Sequence, residues 1–118
     1  MKNLSARNKR IKRVREKIKK LGVFRVSVFK TSKHIYAQLF STDGCDVILS
    51  ASSLEKCVKN NLSFLKIKVQ IAGFVGDVLA DRIISKGILK LAFDKSGYKY
   101  HGRVKALAQS LKNKGISC

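Results

Sequence analysis

The chain contains no proline and no tryptophan, and only seven of its 118 residues are acidic. Each absence excludes something. Without proline, nothing marks a sharp domain break or a stiff linker, and the length suits one domain with a modest core. Seven carboxylates, scattered from Glu16 to Asp94, cannot supply the clustered acids of two-metal nuclease chemistry. Cys45, Cys57 and Cys118 stand far apart with no Cys-x-x-Cys pair, so they read as free thiols of a reducing cytoplasm and not as a disulfide or metal framework. No run approaches the roughly eighteen apolar residues of a membrane span. The N-terminus lacks the apolar stretch of a secretory signal; it is arginine-rich and acid-poor, as transit peptides are, but holds more lysine than serine and no clear processing site.

What the chain has in excess is positive charge. Twenty-six lysines and arginines give a formal +19, while an apolar fraction of 45% is ordinary for a globular protein. So much self-repulsion points to a polyanionic partner, nucleic acid first and an anionic membrane second. Residues 1–22 hold ten of the cations and one acid, Glu16. Leu4, Ile11, Val14, Ile18 and Leu21 form a narrow apolar stripe of helical spacing there, with cations on every other side. Like charges this dense oppose a free helix, so a tail over 1–22 that becomes helical on an anion is expected, followed by a single globular domain over 23–118. Membrane-surface helices present a broad apolar face anchored by Trp or Phe; this stripe has neither, and no membrane partner is expected.

Beyond Gly22 the apolar period changes to two. Phe24, Val26 and Val28 alternate with Arg25, Ser27 and Phe29, and Ile35, Ala37 and Leu39 alternate with His34, Tyr36, Gln38 and Phe40. The polar Lys30-Thr31-Ser32-Lys33 makes these two strands a hairpin. Asp43-Gly44, suited to a tight turn, leads into a third strand over Cys45 to Ala51. A helical pattern around Leu54 to Val58 is interrupted at Asn60-Asn61. Ile67, Ile71, Phe74, Val75, Val78, Leu79 and Ile83 predict the clearest helix, with Gly87 closing it. The apolar run Ile88 to Phe93 predicts a central strand, and Val104, Leu107, Ala108 and Leu111 a last helix ended by Gly115. The fold class is therefore α+β, ordered tail-β-β-β-α-β-α. Its sheet is mixed, an antiparallel meander plus one parallel strand, with helices packed on it.

The stretch FDKSGYKYHGRV, residues 93–104, gathers most of the remaining chemistry. Gly97 and Gly102 have the spacing of a phosphate-binding loop, but Arg103-Val104 follows where that loop needs Lys and Ser or Thr. His101 beside Asp94 could serve as a general base, yet Ser96 has no nucleophile motif around it. Asp94 then braces the turn by hydrogen bonds to backbone amides. RNA contact needs cations for phosphates and planar groups for bases. Lys95, Lys99 and Arg103 supply the first, Tyr98, Tyr100 and His101 the second, and the N-terminus of the last helix adds free amides. With Val26, Val28, Ile35, Ala37 and Leu39 facing the core, Arg25, Ser27, Phe29, His34, Tyr36 and Gln38 share the opposite face, edged by Lys30 and Lys33. That face is an RNA platform if exposed. For Phe29 and Phe40, cover by a further helix is an equal alternative, while polar neighbours favour exposure of His34 and Tyr36.

Two long segments, SVFKTSKHIYAQL at 27–39 and FDKSGYKYHGRVKALA at 93–108, resemble ribosomal protein eighteen of the bacterial large subunit. The resemblance runs in register over the whole chain, through ASSLEK at 51–56 and VGDVLADRIISKGI at 75–88. It implies a non-enzymatic ribosomal component, without cofactor or metal, that binds 5S ribosomal RNA and helps attach it to 23S ribosomal RNA in the central protuberance, among neighbouring large-subunit proteins. It implies three antiparallel strands followed by helix, strand and helix. By position it also implies RNA contacts from Arg7, Arg10, Arg13 and Arg15, from Arg25, Ser27, Phe29, Lys30, Lys33, His34, Tyr36 and Gln38, and from Tyr98, Tyr100, His101, Gly102 and Arg103. The chain departs from the family pattern where Val23-Phe24-Arg25 replaces Arg-Pro-Arg, and where Lys95-Ser96-Gly97-Tyr98 replaces Arg-Gly-Gly-Tyr. Lysine keeps the charge but lacks the guanidinium fork. A generic nucleic-acid chaperone would share the charge without the preference for 5S RNA.

Overall fold

The computed structural model describes residues 5–59 and 67–118; Leu4 of the apolar stripe and the Asn60-Asn61 interruption lie outside the described residues. Its elements run α1 (Ala6–Leu21), β1 (Arg25–Lys30), β2 (Ile35–Phe40), β3 (Val47–Ser52), α2 (Lys56–Lys59), α3 (Lys68–Ser85), β4 (Ala92–Asp94) and α4 (Gly102–Asn113). The sheet order is β3-β2-β1-β4, with β1, β2 and β3 antiparallel and β4 parallel to β1. The expected mixed α+β layout holds.

Alternation decides which way each strand faces. Val26 and Val28 on β1, with Ile35, Ala37 and Leu39 on β2, are buried in one cluster with Val75, Leu79 and Ile83 of α3 and Val104, Leu107 and Leu111 of α4. Pairing in the β1–β2 ladder sets Phe29 opposite Tyr36, Ser27 opposite Gln38 and Arg25 opposite Phe40, so these six share the second face. The Asp43-Gly44 turn forms as its sequence requires, with Gly44 at φ 78° and its amide donating to the Ser41 carbonyl at 2.9 Å.

The fourth strand differs from expectation. The apolar run Ile88 to Phe93 predicts a central strand, but only Ala92–Asp94 joins the sheet, and at its edge. The preceding residues pair with the C-terminus instead: the Leu91 amide donates to the Ser117 carbonyl at 2.9 Å, and the Ser117 amide to the Leu89 carbonyl at 2.8 Å. An apolar run reads the same whether two strands flank it or one strand and a returning terminus.

Helix α1 starts at Ser5, whose hydroxyl accepts the Asn8 amide at 3.1 Å, and stops at Gly22, left-handed at φ 67°. Of its stripe, Ile18 is buried and Ile11 half-buried, while Val14 and Leu21 are exposed. The helix reaches β4 and the loop behind it. Gly97 permits the approach, because a Cβ there would lie 3.0 Å from both Arg7 and Ile11, and its own φ is 78°.

Candidate nucleic-acid interface

Parallel pairing of β4 with β1 sets Asp94 beside Ser27. Its carboxylate is 2% exposed and fully engaged. Oδ1 accepts the Ser96 amide at 2.9 Å, the backbone brace expected of it. Oδ2 accepts from Arg15 Nε at 2.8 Å, Arg25 Nη1 at 2.9 Å and Ser27 Oγ at 3.1 Å. Arg25 also donates to Ser27 Oγ at 2.8 Å and lies over the Phe40 ring, 4.2 Å from its centroid. Burial alone would push the Asp94 carboxyl up. The hydrogen bond from Arg15, the Ser96 amide, the Arg15 charge and the hydrogen bond from Arg25 outweigh it, holding the group below its ordinary value and ionised. An acid so buried and so committed is closed to a substrate proton. It is an anchor joining α1, β1 and the 95–98 loop.

The same loop carries further ties. Arg7 donates to the Ser96 carbonyl at 2.7 Å and lies 5.0 Å from the Tyr98 ring centre. The Lys30 ammonium is 5.1 Å from that ring, and the Lys30 amide donates to Tyr98 Oη at 3.4 Å. Ser96 adopts φ 55°, left-handed for a residue with a side chain. From the start of α4, Arg103 reaches the hairpin and donates to the Thr31 carbonyl at 2.8 Å. His34 Nδ1 lies 3.0 Å from Ser53 Oγ.

The residues singled out in the sequence therefore fall into three groups. Arg25 and Ser27 are buried in the Asp94 cluster. Arg15, Lys30, His34, Tyr36, Tyr98, Gly102 and Arg103 are half-buried, several holding the hairpin and loop together. Arg7, Arg10, Arg13, Phe29, Lys33, Gln38, Tyr100 and His101 are exposed. Of the two phenylalanines left open, Phe29 is 59% exposed, 5.9 Å from Tyr36 between ring centres, whereas Phe40 is half-buried under Arg25. Between α1 and this second face lies a groove of about 590 Å³, lined by Arg7, Phe29, Tyr36, Gln38 and Tyr98 among others. The motif-based list omits Lys112, whose ammonium stands 5.7 Å from the Tyr100 ring centre. No sequence spacing relates a residue late in α4 to one before its start, so only the fold could have found it.

Chemically the surface offers cations and flat rings. Among the described residues no group of His, Cys, Asp and Glu could hold a metal ion, and no helix is long and apolar enough to cross a membrane. The whole chain, residues 1–118, matches the family described as ribosomal L18 of archaea, bacteria, mitochondria and chloroplast. Large ribosomal subunit protein uL18 of Francisella tularensis subsp. tularensis (strain WY96-3418) is 46% identical over 112 residues, 95% of each chain. The protein of the same name from Francisella tularensis subsp. novicida (strain U112) matches at 46% over the same share. Match length and identity together show that the chain belongs to the ribosomal L18 family, as a structural component of the large ribosomal subunit and not an enzyme.

Proposed function

We propose that within the large subunit this chain binds 5S ribosomal RNA and helps attach it to 23S ribosomal RNA in the central protuberance, beside neighbouring large-subunit proteins. One observation carries the reading. The two grooves flanking α1 and the 95–100 loop are lined by a single acidic side chain, Asp94, which three side chains of the protein already engage. Every other charged side chain along them is cationic, beside exposed aromatic rings, and this is the chemistry of phosphate and base contact together. Residues 1–22 act in this reading as an RNA-binding extension of a domain spanning 23–118, and contact comes from the exposed members of the set. Arg25, Ser27 and Arg103 contribute mainly by fixing the shape that RNA meets.

Binding to 5S ribosomal RNA across a salt series, with transfer RNA as folded competitor, tests the reading. The expected result is a preference for 5S RNA that persists as salt rises, since shape recognition outlasts counterion release. Affinities that collapse together would leave a generic basic chaperone. Within that experiment Arg10→Gln/Arg13→Gln is the informative variant, because neither guanidinium has a hydrogen-bond or ion-pair partner among the described residues. The double variant should weaken binding and reduce the salt slope by roughly one to two, with thermal stability unchanged. An unchanged slope would remove α1 from the interface.

A further inference from the structure

On the other side of the loop, α1 and the body enclose a groove of about 710 Å³. Its apolar lining comes from Ile11 and Val14 of α1, Phe93, Ala108 and the rings of Tyr98 and Tyr100. The charged lining is Arg10, Arg13, Lys95, Lys99 and Lys112, all exposed, with Asp94 already taken by Arg15 and Arg25. An apolar floor with an aromatic ring, edged by five cations, has the complement of one chemical object: a flat base joined to phosphates. We infer that this groove takes a single unstacked nucleotide of the bound RNA, its base against Tyr100 and its flanking phosphates among those five cations. The inference rests on the RNA-binding reading above and adds a defined subsite to it.

The two tyrosines differ in what they can still do. Tyr98 has Arg7 and Lys30 beside its ring and its hydroxyl on the Lys30 backbone, so it is a structural ring. Tyr100 is 40% exposed, and its one cation contact among the described residues is the Lys112 ammonium, at 5.7 Å. That is close to the outer limit of about 6 Å for a cation–ring attraction. An incoming phosphate can draw Lys112 away and leave the ring to a base. The volume lies within the range of small-ligand clefts. Gly97 lets Ile11 stand against the loop, since a Cβ there would lie 3.0 Å from it.

Tyrosine emission supplies the readout. The chain has three tyrosines and no tryptophan, so the wild-type signal minus that of Tyr100→Phe is the emission of Tyr100. Titrating full-length protein with 5S ribosomal RNA should quench that component by more than half at saturation. Tyr100→Ala should bind about tenfold more weakly with an unchanged salt slope, and Tyr100→Phe should bind as wild type, because stacking needs the ring and not the hydroxyl. If 5S RNA binds with its preference over transfer RNA while the Tyr100 emission persists and Tyr100→Ala binds normally, the subsite is refuted and the RNA reading stands. If neither RNA binds, both fall. Quenching by anionic phosphatidylglycerol vesicles and not by RNA would reassign the groove to a lipid headgroup and equally overturn the nucleotide.

Discussion

Asp94→Ala should destabilise the protein by about 3–5 kcal/mol, the cost of leaving one member of a buried ion pair without its partner. The carboxylate is 2% exposed and is shared by Arg15, Arg25 and Ser27. Removing it leaves the Arg25 guanidinium, buried on the sheet face, with Ser27 and the Phe40 ring as its remaining polar and aromatic contacts among the described residues. Arg15→Gln offers the contrast: its side chain is 41% exposed, so water compensates and the loss should stay below about 1 kcal/mol. Urea unfolding of both variants measures the difference. Similar losses would mean that the cluster is solvated in solution and that Asp94 does not anchor α1 and the loop. The consequence for RNA follows from the same geometry. Asp94→Ala should weaken binding even where the protein remains folded, because the Ser96–Tyr98 turn loses its brace.

The same cluster fixes the sign of one pH effect. The Asp94 carboxyl is held below its ordinary value despite burial, through the Arg15 hydrogen bond, the Ser96 amide, the Arg15 charge and the Arg25 hydrogen bond. A depressed folded-state pKa contributes stability that is complete above the unfolded value, near 4. It is lost as pH falls from there through the folded value. Asp94→Asn should therefore be less stable at neutral pH and show a flatter decline toward acid than the wild type.

Which of these features the sequence disclosed depends on how far apart the partners lie. The facing of β1 and β2 was legible, because one buried side imposes alternation on Val26, Val28, Ile35, Ala37 and Leu39 within a few residues of each other. That Asp94 braces its own turn was legible for the same reason, its partner Ser96 being two residues on. Its pairing with Arg25, 69 residues away, was not, since it exists only because β4 lies parallel to β1. Alternation placed Arg25 on the second face but could not say that a carboxylate and the Phe40 ring would be waiting there. The edge position of β4 was hidden because the apolar residues just before it pair with the returning chain around Ser117, which carries no strand pattern. For α1, periodicity gave the stripe. That Ile11 would be covered depended on Gly97, a contact across most of the chain.

The packing of α3 against α4 gives a pair of substitutions three residues apart with opposite expected signs. At Gly76 an added Cβ would lie 2.7 Å from the Leu107 carbonyl oxygen and 2.8 Å from Ser110 Cβ. Neither can swing aside, because the first is backbone and the second is fixed to it. The helices must separate, and they hold the buried residues Leu79, Leu107 and Leu111 between them and the sheet. At Gly73 the same methyl would meet only Ser110 Oγ, at 3.5 Å, an ordinary contact. Replacing glycine by alanine inside a helix returns up to about 1 kcal/mol of backbone propensity at either site. At Gly73 that gain stands nearly alone, so Gly73→Ala should leave stability unchanged or raise it. At Gly76 it is set against overpacking of about 1–3 kcal/mol in a core with no slack. Gly76→Ala should therefore come out destabilised by up to about 2 kcal/mol, with Gly76→Val worse still. Thermal melts decide it, since each kcal/mol moves the midpoint by roughly 4 °C in a domain of this size. If Gly76→Ala melts at or above the wild type, the close crossing of α3 and α4 at Leu107 is not how these helices meet.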